Sequence, residues 1–184
     1  GDSWAQHVWD HGLLQSVLNS NGYGAYTTEG TTTAIGGTTA SFWVANLNVI
    51  TDALLAYPSI NVVHLSIGGN DFLGNWNTSM IGQGSETTLF NTIAANVQTI
   101  VNHCISVRPN CKVALCGYDY LNLYDSVMQS GNTAAQAMWA LLGQPTPRQL
   151  NDALARLNTQ LRNVSNLVYI NNQGVAHYMY GYPG

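Results

Sequence analysis

Three short apolar runs punctuate the chain. Ile60–Ile67 is rich in β-branched residues and stops at Gly68-Gly69, Cys111–Cys116 stops at Gly117, and Asn166–Ile170 follows a strong helical pattern. Runs this short and this apolar predict strands of a parallel sheet buried on both faces. Between them, apolar residues recur at helical spacing. Leu150, Leu154, Leu157 and Leu161 form one stripe behind Thr146-Pro147, a cap residue followed by proline at the first helical position. Leu89, Ile93, Val97 and Ile100-Val101 form a second stripe that ends before Pro109. Leu47, Ile50 and Leu54 form a third within Ala45–Leu55, closed by Pro58. From Trp4 to Leu18, with Val8, Leu14, Val17 and Leu18 apolar, the pattern reads as a helix ending at Asn21-Gly22. Strands alternating with helices predict an α/β sheet with right-handed crossovers and a ligand at the carboxyl ends of the strands. Those ends are Gly68–Asp71 and Gly117–Asp119. With no repeat, linker or charge run, residues 1–184 read as a single domain.

Charge narrows the function classes. Charged residues make up 8% of the chain, whereas a soluble domain usually carries about 25%. Five Lys and Arg face nine Asp and Glu, a net charge of −4, and Lys112 is the only lysine. Phosphate backbones are held by clustered Lys and Arg, so a nucleic-acid partner is excluded. A hydrophobic content of 46% excludes a disordered chain. No apolar run approaches the roughly 18–20 residues that span a bilayer, so no integral membrane segment is expected. Polarity comes instead from asparagine, threonine and glycine, a surface common among secreted bacterial proteins. The expected location is therefore secreted or periplasmic, with any export signal already removed. Cys104 and Cys111 could close a small disulfide loop in an oxidising compartment and leave Cys116 free; equally, all three read as buried thiols. Asn77-Thr78-Ser79 and Asn163-Val164-Ser165 are glycosylation sequons of the kind an Asn-rich chain acquires by chance.

Three motifs stand where chemistry is expected. Gly1-Asp2-Ser3 opens a helix, which places a serine hydroxyl where backbone N–H groups and the helix dipole favour negative charge. Gly36-Gly37-Thr38-Thr39 lies in a loop whose glycines let a backbone N–H approach a ligand. Gly68-Gly69-Asn70-Asp71 ends the best strand and presents an amide donor. A serine, a glycine N–H and an asparagine amide at one point make a nucleophile with an oxyanion hole. Read singly, Ser3 would be a helix N-cap and Asn70 a turn residue with positive φ. Read together, they favour the nucleophile and the oxyanion donor. Asp2 and Asp71 read as loop braces.

The order and spacing of Gly1-Asp2-Ser3, Gly37-x-Thr39 and Gly68-x-Asn70-Asp71, with a Gly117-Tyr118 strand end and a late helix–strand pair, resemble the SGNH hydrolase family, also called GDSL esterases and lipases. The resemblance runs over essentially the whole chain. It implies a three-layer α/β/α sandwich with a central parallel sheet. It further implies Ser3 as nucleophile, and the Ser3 and Gly37 backbone N–H groups with the Asn70 amide as oxyanion donors. The implied chemistry is ester hydrolysis without metal or cofactor, on a small-molecule, lipid or carbohydrate ester.

The family's D-x-x-H motif is not found. His177 is late enough, but the residue three before it is Gly174, and no aspartate follows Asp152. The family's first strand should also run directly into Gly1. The first strand, the last helix and the catalytic His–Asp pair are therefore expected outside residues 1–184, and this stretch alone is expected to be nearly inactive. A minor alternative pairs His177 with Asp119 or Asp125. His7 and His11 have the i, i+4 spacing of a metal pair, but Val8 replaces the glutamate of H-E-x-x-H and no metal is expected. Among the tryptophans, Trp76 follows the oxyanion motif and is the one expected to touch substrate. The loops Phe72–Ser85 and Tyr118–Ala134 are expected to shape the acyl pocket. Two alternatives remain: a carbohydrate acetyl esterase, and a non-catalytic binding domain on the same fold.

Overall fold

The computed structural model describes residues 1–121 and 133–175. The three apolar runs form strands β1 (Val62–Leu65), β2 (Lys112–Cys116) and β3 (Leu167–Ile170). They pair in parallel in the order β1-β2-β3, with Val63 opposite Val113 and Leu115 opposite Tyr169. Around this sheet the described residues form eight α-helices: α1 (Ser3–Asp10), α2 (Leu13–Ser20), α3 (Ala40–Ala45), α4 (Leu47–Ala56), α5 (Gly69–Asn75), α6 (Gly84–Val107), α7 (Thr133–Leu141) and α8 (Pro147–Arg162). The chain is thus a mixed α/β protein with a small parallel sheet. None of the described helices is long and apolar enough to cross a membrane.

Helix α8 shows how sequence fixes an element. Thr146 caps it, Pro147 occupies its first turn, and the Gln149 Oε1 accepts in return from the Thr146 N–H. This capping box satisfies two N-terminal donors. Its leucine stripe, Leu150, Leu154, Leu157 and Leu161, is buried. Helix α6 buries Phe90, Ile93, Val97, Ile100, Val101 and Cys104 in the same core, which also takes Leu65, Val113 and Leu115 from the sheet. Helices α3 and α4 add Trp43, Ile50 and Leu54.

Several expectations need correction. The strands are not buried on both faces. Side chains alternate along each strand, and one face carries the buried Leu65, Val113 and Leu115. The other face leaves Val62 55%, Val168 50% and Ile170 43% exposed. Neither α1 nor α2 contributes a buried residue to cover it. The single helix expected from Trp4 to Leu18 is two, because Gly12 takes a left-handed conformation between them. The Ala45–Leu55 helix is α4, and a short helix that the pattern does not show, α3, precedes it and ends at Ala45, just before Asn46. The stretch expected as the Phe72–Ser85 loop begins inside α5, passes a 3₁₀ turn at Thr78–Met80 and ends inside α6, and Asn70 itself is helical. Tyr118–Leu121 and Thr133-Ala134 are described, the latter as the start of α7, and the rest of that expected loop lies outside the described residues. No disulfide links Cys104 and Cys111: both are buried free thiols, and Cys116 is a half-buried one.

Candidate functional site

The carboxyl end of β1 gathers all three motifs. The Asp2 N–H donates to the Ser66 carbonyl at 2.9 Å, so the chain entering α1 lies beside the strand end. The Asp2 carboxylate Oδ1 accepts from the Ser66 hydroxyl at 2.8 Å and caps α1 through the Trp4 and Ala5 N–H groups. The Gly1 carbonyl in turn accepts from the Ile35 N–H at 3.1 Å. Thr38 completes the lacing: its hydroxyl lies 2.9 Å from both the Gly1 and Ile35 carbonyls and accepts from the indole N–H of buried Trp43.

Ser3 is exposed, in the first turn of α1. The residue that caps the helix is Asp2, so the Ser3 hydroxyl has no capping duty. Among the described residues neither that hydroxyl nor the Ser3 N–H has a hydrogen-bond partner. The N–H is an orphan donor of the helix start, where the dipole favours negative charge. The Gly36-Gly37 loop passes close by. A Cβ on Gly36 would stand 3.9 Å from Ser3 Cα and would collide with Gln6 Oε1, which accepts the Gly36 N–H. Gly37 has φ +76°, a left-handed conformation that suits glycine. It is exposed, and its N–H has no acceptor among the described residues.

Asn70 is the second residue of α5, so positive φ does not explain it; Gly68, with φ +106°, makes the turn. One Asn70 amide hydrogen goes to the Thr38 carbonyl at 2.9 Å. The second has no acceptor among the described residues. Next to it, Asp71 is 6% exposed and accepts the Ala40 N–H at 2.7 Å, tying α5 to the start of α3. Asp2 and Asp71 are braces, as the sequence suggests.

Tyr118 closes the underside of the Gly68-Gly69 turn. Burial pushes its phenol well above the ordinary tyrosine range, and the charges of Asp2 and Asp71 add to the rise. Sequence reading missed Thr38 and Ser66 as members of this network. Thr38 could have been found from its place between Gly37 and Thr39, but Ser66 carries no signal beyond ending a strand.

Trp76 does not touch the site. It is 1% exposed, stacks on Phe72 at 5.1 Å and donates its indole N–H to Glu86 at 2.8 Å. The chain turns inward at the end of α5 and carries the indole into the core, so this expectation is overturned. Trp4 and Ile35, which adjoin Ser3 and the Gly36-Gly37 loop in the chain, are exposed.

No described histidine hydrogen-bonds Ser3. His7 and His11 lie against each other, 4.4 Å between ring centroids, and His103 shares a hydrogen bond with Thr51. His177 and Asp125 lie outside the described residues. Asp119 accepts the Gly174 and Tyr120 N–H groups at 2.7 Å each. Among the described residues no group of three or more His, Cys, Asp and Glu side chains could hold a metal ion. Two surface hollows lie elsewhere, one of about 150 Å³ beside Glu86 and Arg156, the other of about 310 Å³ lined by Gln98, Gln160 and Asn163.

No known family model matches the chain. No curated protein matches it either.

Proposed function

We propose that the chain acts as a secreted serine ester hydrolase of the SGNH type, on a three-layer α/β/α sandwich. One observation carries the reading. The Ser3 N–H, the Gly37 N–H and the second Asn70 amide hydrogen have no acceptors among the described residues, and hydrogen bonds through Gly1, Ile35 and Thr38 tie their three segments together beside an exposed serine that caps nothing. In this reading the Ser3 hydroxyl attacks the ester carbonyl, and the three donors receive the negative charge that develops on its oxygen. Preorganised donors of this kind stabilise the transition state more than the ground state. Ser3 needs a base to lose its proton. The base proposed is a His–Asp pair carried beyond residue 184. The substrate is a small-molecule, lipid or carbohydrate ester, and the reaction needs no metal or cofactor.

A second reading, a non-catalytic binding domain on the same fold, is favoured by one fact: among the described residues no histidine meets Ser3. Hydrolysis of p-nitrophenyl acetate and butyrate separates the two. A form extended into its natural flanking sequence should turn over in a Ser3-dependent way; the binding-domain reading predicts no turnover at any length. Release of acetate from acetylated oligosaccharides, with no hydrolysis of the butyrate ester, would select a carbohydrate acetyl esterase.

A further inference from the structure

The Gly68-Gly69 pair that leads into Asn70 has a neighbour that explains it. A Cβ on Gly69 would stand 3.0 Å from Tyr118 Cε1 and 3.1 Å from its hydroxyl. A Cβ on Gly68 would stand 3.1 Å from Ile93 Cγ2 and 3.6 Å from the Tyr118 hydroxyl. Gly69 thus lies against the Tyr118 ring, and a methyl there would force the ring to give by a few tenths of an ångström. Tyr118 itself cannot move easily. Its N–H donates to Asn158 Oδ1 at 2.9 Å, and its carbonyl accepts from Asn158 Nδ2 at 2.7 Å. Asn158 is 1% exposed on α8. The buried Tyr118 hydroxyl also faces the Gly69 backbone, whose hydrogen bond opposes the rise of its phenol. The ring atoms Cε1 and Cζ stand as close to the Gly69 position as the hydroxyl does, so ring and hydroxyl both face the turn.

We propose that Tyr118 is a positioning residue: clasped by Asn158, its ring is the anvil against which Gly68-Gly69 sets the height of Asn70 beside Thr38 and Ser3. The proposal rests on the oxyanion reading for its kinetic consequence but not for its structural one. Removing the ring lets the turn sink, carries the Asn70 amide away from the Thr38 carbonyl, and leaves substrate binding by other residues intact. A displacement of about 1 Å at a catalytic donor can lower the rate on the order of 100-fold.

The test pairs kinetics with a structural readout. In the protein carrying its natural flanking residues, Tyr118→Leu should lower kcat about 10–100-fold with KM unchanged. Tyr118→Phe, which keeps the ring, should restore the wild-type kcat. In residues 1–184, Tyr118→Leu should shift the Asn70 side-chain amide resonances, and Tyr118→Phe should not. Gly69→Ala presses a methyl against the ring from the other side and should give the same kinetic and spectral changes; it also serves if Tyr118→Leu fails to fold. Combined with Tyr118→Leu it should cost less than the sum of the two, because the leucine removes the ring that the methyl would meet. A Tyr118→Leu protein of lowered melting temperature with unchanged kcat and unchanged Asn70 resonances would overturn the proposal, and so would strict additivity. If no form shows Ser3-dependent turnover, the hydrolase reading fails separately. The Asn70 resonances then decide alone: shifted supports positioning, unmoved overturns it.

Discussion

Asn70 donates one hydrogen of its side-chain amide to the Thr38 carbonyl at 2.9 Å, which ties the end of the first strand to the glycine loop thirty-two residues earlier in the chain. The same bond fixes the direction of the second amide hydrogen, because the planar amide holds both donors at a set angle. Thr38 is held in turn from three sides, by Gly1, Ile35 and Trp43.

Replacing Asn70 by alanine should therefore separate stability from activity. One hydrogen bond is lost, a cost of about 1 kcal/mol in unfolding free energy. If the free hydrogen holds an oxyanion, kcat should fall about 10²–10³-fold. Urea titration and steady-state kinetics on the Asn70→Ala protein check both; an unchanged kcat would reduce Asn70 to a loop tie.

Asp71 should behave in the opposite way. Its carboxylate accepts the Ala40 N–H within the core, and Asp71→Ala leaves that buried donor unpaired. Hydrogen bonds to charged groups contribute about 1.5–3 kcal/mol, so the urea midpoint should drop accordingly. A loss within about 0.5 kcal/mol, the range of ordinary surface changes, would contradict the brace.

Glu86 predicts an acid limb of stability. Burial alone would push its carboxyl up, but hydrogen bonds from Arg156 and Trp76 outweigh burial and hold it below the usual carboxylate range. Arg156 approaches at 2.8 and 3.0 Å, Trp76 at 2.8 Å. The unfolded chain, with an ordinary glutamate near about 4.3, takes up this proton at a higher pH than the folded one. The contribution is thus present above that value and is lost as pH falls through the lower folded value. Denaturation midpoints of wild type and Glu86→Gln should differ near neutrality and converge below about pH 4; a constant difference would contradict the linkage.

Cys104 should be inert. Burial pushes its thiol up to about 12, with Cys111 adding to the rise, and the thiolate is the reactive form. Iodoacetamide at pH 8 should leave Cys104 unmodified in the native protein and alkylate it after unfolding, as peptide mass spectra would show. Native modification of Cys104 as fast as that of half-buried Cys116 would contradict this burial.

The elements most legible in the sequence are those whose signal is local. The capping box at Thr146 and the leucine stripe of α8 depend on residues within a few positions of each other, and both stand as expected. The three strands are likewise where their β-branched runs lie. Burial of the sheet was misread because an apolar strand does not reveal whether anything covers its second face. Val168 and Ile170 are as apolar as Val113 and Leu115, yet half exposed. Trp76 was misread for a related reason: proximity in sequence to Asn70 says nothing of direction once α5 has turned. Motif order alone brings Ser3, Gly37 and Asn70 forward as candidates, whereas Thr38, Ser66 and Tyr118 enter the network only through tertiary contacts that bring positions far apart in the chain together.

The most direct test of the central claim is p-nitrophenyl butyrate hydrolysis by this chain and by a form extended into its natural flanking sequence, each beside its Ser3→Ala variant. The account predicts turnover in the extended form, little or none in residues 1–184, and complete loss on Ser3→Ala. Hydrolysis that survives Ser3→Ala, or none in the extended form, would contradict it.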